Sequence, residues 1–303
     1  MSASGKGRFP LFEEARSAEI VNARIGAEVD ARTRQIAETV VRHLHAAVKE
    51  IEPSHEEWLA AIRFLTDTGH MCTDWRQEFI LLSDVLGVSM LVDAINHRRP
   101  GRATENTILG PFFVEGVPVL PPGANVCLDG KGAPLVVEAE IVDIEGNPIR
   151  GAMVDVWQTN DDGFYDVQQK GQQPDGNLRG KFESDEQGRF WFKTVKPRDY
   201  PIPDDGPVGK LLAKLGRHPH RAAHIHFIVQ APGYDTVITH LFAPDCPYLG
   251  EDAVFGVKPS LVASFEQVED AARAQSLGVA NPFWHTSWSF VLQRSEPDGD
   301  SAK

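Results

Sequence analysis

The spacing of apolar residues changes once along this chain, and the change predicts two parts of different structure. Between about residues 12 and 100, apolar residues recur every three or four positions, as at Ile36, Val40 and Leu44, which is the period of an amphipathic helix. Beyond about residue 130 they alternate with polar residues, as at Val137 and Ala139, which is the period of a half-buried strand. The sequence therefore predicts a helical N-terminal part followed by a part made of strands.

Two helix starts can be placed by their capping residues. The segment Ser54–Glu57 matches a capping box, in which the serine oxygen and the glutamate carboxylate satisfy backbone amides that have no partner inside the helix. Asp74 is expected to cap the next helix, whose apolar stripe is formed by Phe79, Leu82, Leu86, Met90 and Ala94. The proline of the segment His97–Gly101 is expected to end the helical part.

The second part is predicted to be an antiparallel β-sandwich. Its strands are expected where apolar and polar residues alternate, at 137–141, 152–156, 188–194, 223–229, 236–242 and 284–292. Turn residues separate these short segments, as is typical of sandwiches. The predicted fold class is therefore α+β, with a helical unit over residues 1–105 and a β-sandwich over residues 106–303. The helical unit is expected either to pack on the sandwich as a linker or to form a homodimer interface, and sequence alone does not decide between them.

Composition limits the classes of function. The 303 residues carry a net charge of −13, which argues against binding to nucleic acid or to an anionic membrane surface. The three cysteines, Cys72, Cys127 and Cys246, are widely scattered, which favours a reducing compartment without a disulfide framework. The segment Met1–Lys6 lacks the apolar core of a signal peptide, and no apolar run is long enough to span a bilayer. A cytoplasmic location is therefore expected.

The strand around residue 225 carries candidate chemistry. His224 and His226 are two positions apart, so both imidazoles point to one face of the strand while Ile225 points to the other. Imidazole is the commonest metal ligand, but two polar residues on the wet face of a half-buried strand explain the pattern equally well. The same alternation would point Arg221 away from the histidine face unless the chain bends between Arg221 and Ala223.

Two of the four tyrosines lie where they could complete a metal site. Tyr165 follows a turn after a predicted strand, and Tyr200 lies in a loop stiffened by flanking prolines. A phenol has a reference pKa of about 10, so tyrosine ligates at neutral pH only if a strong Lewis acid such as ferric iron stabilises the phenolate. Two tyrosinates and two neutral imidazoles would cancel much of the ferric charge.

The chain resembles the intradiol ring-cleaving dioxygenases over residues 10–295. The segments that carry the resemblance are Thr107–Phe113, Val154–Tyr165, Arg198–Gly209 and Arg221–Phe227. The resemblance implies that residues 106–303 are a catalytic domain that cleaves an aromatic diol with O2, at a non-haem Fe(III) held by Tyr165, Tyr200, His224 and His226. It further implies that Tyr200 takes a proton from the diol, that Arg221 lies over the substrate ring, and that the helical unit binds a lipid.

The same resemblance predicts a substrate pocket. Its lining positions are Leu81, Asp84, Val85, Leu109, Gly110, Pro111, Phe112, Ile202, Pro203 and Val254. Asp84 is an acid among apolar neighbours, and it would accept a hydrogen bond from a third ring hydroxyl and so discriminate against diols without one. A merely solvated aspartate on a helix is the alternative interpretation.

Two further segments bear on the substrate. Thr239–Phe242 and Asp252–Val257 resemble the branch of the family that cleaves hydroxyquinol, and His240 stands where a catechol-cleaving enzyme is expected to have glutamine. Hydroxyquinol is therefore favoured as the substrate over catechol, and catechol over chlorocatechols. His240 is expected to be structural or to lie next to the metal ligands.

Two other functions stay open at this point. A ligand-binding β-sandwich without iron would use the same histidines and tyrosines only to line a groove. A ferrous extradiol enzyme would need two histidines and one carboxylate, and the sequence shows no obvious carboxylate partner for the histidine pair. The histidines expected to be only solvated or packed are His43, His45, His218, His220 and His285.

Overall fold

The computed structural model describes residues 10–74, 76–98 and 101–295. The segment Met1–Lys6 and the step from Arg99 to Pro100, both used in the sequence analysis, lie outside these ranges. The chain divides into two compact units, Met1–Asp67 and Thr68–Lys303. The predicted functional division near residue 105 stays a prediction.

The helices of the N-terminal part form as their three-to-four spacing predicts. They are α1 (Ser17–Asn22), α2 (Ala31–Ile51), α3 (His55–His70), α4 (Glu78–Val85) and α5 (Val88–Asn96). At the start of α2, the Asp30 carboxylate accepts hydrogen bonds from the amides of Arg32 and Thr33, both at 3.0 Å. The predicted capping box of α3 is confirmed, because the Ser54 amide donates to Glu57 Oε2 at 2.8 Å and the Glu57 amide donates to Ser54 Oγ at 3.2 Å.

Two details of the helical prediction are wrong. Asp74 does not cap α4, since Gln77 holds the capping position without a side-chain hydrogen bond. The apolar stripe predicted for one helix is divided between α4 and α5, because Gly87 separates them with a φ of +73°. That left-handed conformation cannot continue a right-handed helix, and glycine adopts it at no steric cost.

The described part of the strand-rich half contains ten strands. They are β1 (Pro134–Asp143), β2 (Met153–Trp157), β3 (Arg179–Glu183), β4 (Arg189–Val195), β5 (Tyr200–Pro201), β6 (His220–Arg221), β7 (His224–Gln230), β8 (Val237–Phe242), β9 (Glu266–Val268) and β10 (Phe283–Leu292). One sheet has the order β4-β1-β10-β9, a second has the order β3-β2-β7-β8, and β5 pairs with β6. Every pairing is antiparallel except that of β1 with β10. The predicted α+β class is confirmed.

Apolar side chains from both four-stranded sheets share one core. The ring of Phe227 on β7 lies 5.0 Å from that of Phe290 on β10 and 6.4 Å from that of Phe192 on β4, measured between centroids. On the opposite face of β7, His224, His226 and Ile228 are buried as well, and only Gln230 at the end of the strand is exposed. The strand is therefore not half-buried, and the alternative of two histidines on a wet face is wrong, because aromatic side chains from other elements cover that face.

Two short helices of this half escaped the sequence prediction, α6 (Pro207–Lys214) and α7 (Ala271–Leu277). Strands β3, β5, β6 and β9 were also missed, because two to five residues are too few to establish a period. No helix within residues 10–74, 76–98 and 101–295 is long and apolar enough to cross a membrane.

Candidate metal centre

The register of the second sheet brings three imidazoles together. His224 and His226 lie on one face of β7, and His240 of β8 stands directly opposite His226. Nε2 of His224 lies 3.1 Å from Nε2 of His226. On the other side of His226, the ring of Trp157 on β2 stacks at 4.4 Å with an interplanar angle of 12°. The register of the sheet therefore brings these rings together.

The two predicted tyrosine ligands meet the histidines at the same point. The hydroxyl of Tyr165 lies 2.8 Å from Nε2 of His226 and 3.1 Å from the hydroxyl of Tyr200. Donors held about 2 Å from one ion at near-tetrahedral angles are roughly 3 Å from each other. The four predicted ligands thus form a continuous row, Tyr200–Tyr165–His226–His224, in which each neighbouring pair of donor atoms has about this spacing.

The loop that presents Tyr165 is held by three local contacts. Its amide donates to Gln168 Oε1 at 2.9 Å, and the next residue, Asp166, pairs with buried Arg179 at 2.5 Å. The same arginine donates to the carbonyl of Phe112 at 2.6 Å. The ring of Phe112 in turn stacks on that of Tyr165 at 4.5 Å. Arg179 therefore ties the tyrosine loop to the connector that precedes the sandwich.

A break in the chain direction places Arg221 at the centre. The residue ends β6, where it pairs with Tyr200 of β5, and Ala222 and Ala223 interrupt the chain before β7 begins at His224. Strict alternation no longer applies across this interruption. Arg221 Nη1 consequently lies 3.5 Å from Nε2 of His224, although the sequence pattern alone would have pointed it to the opposite face.

A buried carboxylate fixes the guanidinium of Arg221. Asp252 Oδ1 lies 3.3 Å from Arg221 Nε, and Asp252 also accepts hydrogen bonds from the amides of Ala222 at 2.9 Å and Gly256 at 2.7 Å. Burial opposes both charges, but each partner stabilises the other: the net effect raises the pKa of Arg221 and lowers that of Asp252 from their ordinary values. Both groups stay charged at neutral pH.

Burial favours the neutral forms of the three histidines and of Tyr165. Burial, reinforced by the positive charge of Arg221, lowers the pKa of His224 to about 3, and burial together with neighbouring imidazoles lowers the pKa of His226 and His240 well below its ordinary value. Burial and the adjacent Tyr200 raise the pKa of Tyr165 well above 10. Neutral imidazoles have a free lone pair for a metal, and a bound cation would reverse the preference of the phenols.

His240 completes a group of three buried histidines. Each of His224, His226 and His240 offers one ring nitrogen within 4.8 Å of the others. Nδ1 of His240 lies 2.5 Å from the hydroxyl of Thr107. Sequence reasoning had left His240 undecided between a structural role and a place beside the ligands, and the structure places it beside them.

The predicted pocket residues fall into three sets. Leu81, Val85, Ile202 and Val254 belong to one apolar cluster. A Cβ atom on Gly110 would lie 3.3 Å from His226 Cε1, so this glycine, like Phe112, contacts the centre directly. Leu109, Pro111 and Pro203 are exposed, and their part in substrate binding stays a prediction.

Asp84 is partly buried and close enough to Arg221 to sense its charge. Burial raises the pKa of the Asp84 carboxyl, and a hydrogen bond from Ser89 and the charge of Arg221 offset this only in part. The side chain is half-buried, and its part in substrate binding stays a prediction.

Three residues of the site were missed by sequence reasoning: Thr107, Arg179 and Asp252. Each is polar and buried, and each holds another site residue in place. Asp252 and Thr107 lie in segments that the family resemblance already marked, so their position in those segments was a usable signal. Nothing in the sequence around Arg179 indicated its contact with Asp166.

Comparison with known proteins shows two family models that match successive parts of the chain. The model of the family described as "Catechol dioxygenase N terminus" matches residues 30–104, and the model described as "Dioxygenase" matches residues 108–294. This chain belongs to the intradiol ring-cleaving dioxygenase family. A member from Rhizobium sp. (strain MTP-10005), named hydroxyquinol 1,2-dioxygenase, is 60% identical over 284 residues, covering 93% of this chain and 96% of the relative.

Two other members of the dioxygenase family are similar to this chain at lower sequence identity. The crystal structure of hydroxyquinol 1,2-dioxygenase from Pseudomonas putida DLL-E4 has a TM-score of 0.89 and 47% identity, covering 93% of this chain and 99% of that chain. A catechol 1,2-dioxygenase from Candida albicans is 37% identical, covering 83% of this chain and 84% of the relative. The similarity extends along nearly the whole length of each protein.

Proposed function

We propose that this protein cleaves hydroxyquinol (benzene-1,2,4-triol) with O2 between its two adjacent hydroxylated carbons. Both oxygen atoms enter the product, 3-hydroxy-cis,cis-muconate, the enol form of maleylacetate. The observation that carries the proposal is the convergence of two phenols, two neutral imidazoles and a buried arginine on one point. The substrate is supported by 60% identity to a protein named hydroxyquinol 1,2-dioxygenase, against 37% to one named catechol 1,2-dioxygenase.

The donor set fits a ferric ion. We infer that Tyr165, Tyr200, His224 and His226 hold non-haem Fe(III), because two phenolates suit a hard, strongly charged cation and the imidazoles are held neutral by burial. Bound there, Fe(III) would supply Lewis-acid activation of the diol. A ferrous extradiol site is not supported, since the buried group of three metal-binding side chains found among the described residues contains only histidines and no carboxylate.

The residues around the centre have separate tasks. With Fe(III) bound, Tyr200 would be a phenolate, and it would take one of the two diol protons to become a neutral phenol. Arg221, fixed by Asp252, stabilises the negative charge that develops on the substrate ring and its oxygens, as a preorganised cation does. The apolar cluster of Val85, Ile202 and Val254 excludes water from this region.

Asp84 supplies the preference for a third hydroxyl. Its carboxylate would accept a hydrogen bond from the additional hydroxyl of hydroxyquinol, and it is held near Arg221 so that the ring between them has one orientation. Catechol lacks this hydroxyl and would leave the partly buried acid without a partner. Sites built to bind a hydroxyl discriminate strongly against analogues that lack it.

The test begins with protein loaded with Fe(III). We expect about one iron per chain, a broad visible band from phenolate-to-Fe(III) charge transfer, and a shift of that band when a diol is added. Oxygen uptake should be faster with hydroxyquinol than with catechol, and mass spectrometry should identify the ring-opened dicarboxylate with two added oxygen atoms. Colourless protein without iron would instead favour the ligand-binding module, and faster uptake with catechol or chlorocatechols would favour the corresponding dioxygenase.

We also infer that residues 1–105 form a homodimerisation unit and residues 106–303 the catalytic domain. Support comes from an exposed apolar row on α2, formed by Ile36, Val40, Leu44, Val48 and Ile51, and from the family models, which meet between residues 104 and 108. A bound lipid would use the same row. Sedimentation of the Leu44→Gln variant should show a shift toward monomer, and organic extraction of the unmodified protein should release the lipid.

We propose a cytoplasmic location because the cysteines form no disulfide bonds. Cys72, Cys127 and Cys246 are all free of disulfides, which suits a reducing compartment. Fractionation of cells that express the protein should recover it with cytoplasmic markers, whereas recovery from an oxidising compartment would contradict this assignment.

A further inference from the structure

His240 contacts both imidazoles of the proposed ligand set without belonging to it. Its ring centroid lies 4.2 Å from that of His226, at an interplanar angle of 60°, and 4.6 Å from that of His224, at 81°. The side chain has no exposure to solvent. A buried polar ring in this place needs an explanation, because an apolar residue of similar size would fill the space without the cost of burying two nitrogens.

One of those nitrogens is firmly held. Nδ1 of His240 lies 2.5 Å from the Thr107 hydroxyl, and Thr107 is itself fixed because its amide donates to the carbonyl of Ile238 at 2.8 Å. His224 is held in the same way, with its Nδ1 2.5 Å from the carbonyl of Ala222. In both residues a contact at Nδ1 sets the ring orientation and leaves Nε2 for a different partner.

The other nitrogen of His240 has no hydrogen-bond partner within the described part of the chain. Leaving such an atom unpaired in the interior is unfavourable, so a small polar occupant is expected next to it. His240 makes no hydrogen bond to the donor atoms of Tyr165, Tyr200, His224 or His226, although these four lie close to one another. The unpaired nitrogen is thus a buried polar group beside the imidazoles of His224 and His226, where a water molecule is the smallest partner that would satisfy it.

We propose that His240 is a positioning residue of the metal centre, whose Nε2 hydrogen-bonds a water molecule held there and whose orientation is set by Thr107. The inference rests on the proposed function, since it concerns the same metal centre. It assigns a task to two residues, Thr107 and His240, that lie 133 positions apart in the sequence.

The test compares variants loaded with Fe(III). His240→Leu removes the hydrogen bond, and His240→Gln keeps an amide that both donates and accepts one. We expect the His240→Leu variant to lose iron to a chelator about 10 to 100 times faster than the unmodified protein, with a shifted visible band, because loss of an outer partner typically weakens metal binding by that factor. The His240→Gln variant should stay within about threefold of the unmodified protein.

A second comparison isolates the threonine. Thr107→Val removes the hydroxyl that holds His240, and Thr239→Val is the matched control, because Thr239 is equally buried and its hydroxyl bonds the Glu105 carbonyl at 2.8 Å, away from the imidazoles. Only the Thr107 variant should release iron faster. If the His240→Leu variant fails to fold, the comparison of Thr107→Val with Thr239→Val still tests the proposed role of His240.

Three results would overturn the inference. His240→Leu could match the unmodified protein in iron release and band position. Both His240 variants could be impaired equally, which would show that the ring acts by packing alone. Thr107→Val and Thr239→Val could behave alike. In each case the unmodified protein still binds Fe(III), whereas failure of the unmodified protein to bind it would refute the proposed function as well.

Discussion

Replacing Asp252 by asparagine tests the buried ion pair that fixes Arg221. The two side chains are 2% and 4% exposed, so the guanidinium left behind would have little access to water. Asparagine has nearly the same size, and its amide oxygen can still accept the hydrogen bond from the Ala222 amide, whereas the hydrogen bond from the Gly256 amide to the other oxygen is lost. The variant therefore removes the negative charge and leaves the packing largely intact.

The expected loss is large because the remaining charge is buried. Breaking a buried ion pair by removing one partner costs about 3–5 kcal/mol, so the free energy of unfolding at pH 7 should fall by about that amount. Arg221 also holds the pKa of Asp252 below its ordinary value, despite the opposing effect of burial. The pair's contribution is thus fully present above the unfolded-state pKa of about 3.9 and is lost as pH falls through the lower folded-state pKa.

Urea denaturation, followed by circular dichroism between pH 3 and pH 8, measures both effects. The difference between the unmodified protein and Asp252→Asn should be greatest at neutral pH and should shrink below about pH 4. Glu186→Gln is the control, because the Arg150–Glu186 pair is 70% and 63% exposed, and surface pairs contribute about 0–1 kcal/mol. A loss below about 1 kcal/mol for Asp252→Asn, or a difference that persists unchanged in acid, would refute the argument.

Three further predictions address the site itself. Tyr200→Phe should retain part of the iron but change the visible band and slow substrate deprotonation, as measured by stopped-flow absorbance. Asp84→Ala should reduce the ratio of kcat/KM for hydroxyquinol to that for catechol by about 10 to 150 times, since a hydrogen bond to a charged group contributes about 1.5–3 kcal/mol. Gly110→Ala should weaken iron binding, because the added methyl group would lie 3.3 Å from His226 Cε1.

The tyrosine and glycine changes each have a matched control. Tyr234→Phe removes a phenolic hydroxyl outside the cluster and should leave the band unchanged; an unaltered spectrum and turnover in Tyr200→Phe would exclude Tyr200 from the centre. Gly116→Ala imposes a similar positive φ, +77° against +75° at Gly110, with nothing within 4 Å of the new methyl. Equal iron loss in both glycine variants would therefore indicate backbone strain rather than contact with His226. An unchanged substrate ratio in Asp84→Ala would remove the argument for hydroxyquinol from that residue.

Local features of the fold could be predicted from the sequence because their causes are local. The period of apolar residues follows from the geometry of helix and strand, and the capping box of Ser54 and Glu57 needs only four consecutive residues. The candidate ligands could be named because imidazole and phenol are uncommon in such patterns and because the surrounding segments resemble a known family. The substrate preference depended in the same way on Asp84, an acid among apolar neighbours, and on two segments that resemble the hydroxyquinol-cleaving branch of the family.

The partners of those residues depended on the packing of segments distant in the chain. The interruption at Ala222 and Ala223 turns Arg221 toward His224, and no pattern in the sequence predicts this interruption. Whether Asp252 reaches Arg221, or Thr107 reaches His240, depends on strand register and on where the loops return, over separations of 31 and 133 residues. Periodicity shows only which face of an element avoids water. The sequence was therefore sufficient to identify the side chains of this centre. Which neighbours position those side chains and shift their pKa values was decided only by tertiary packing.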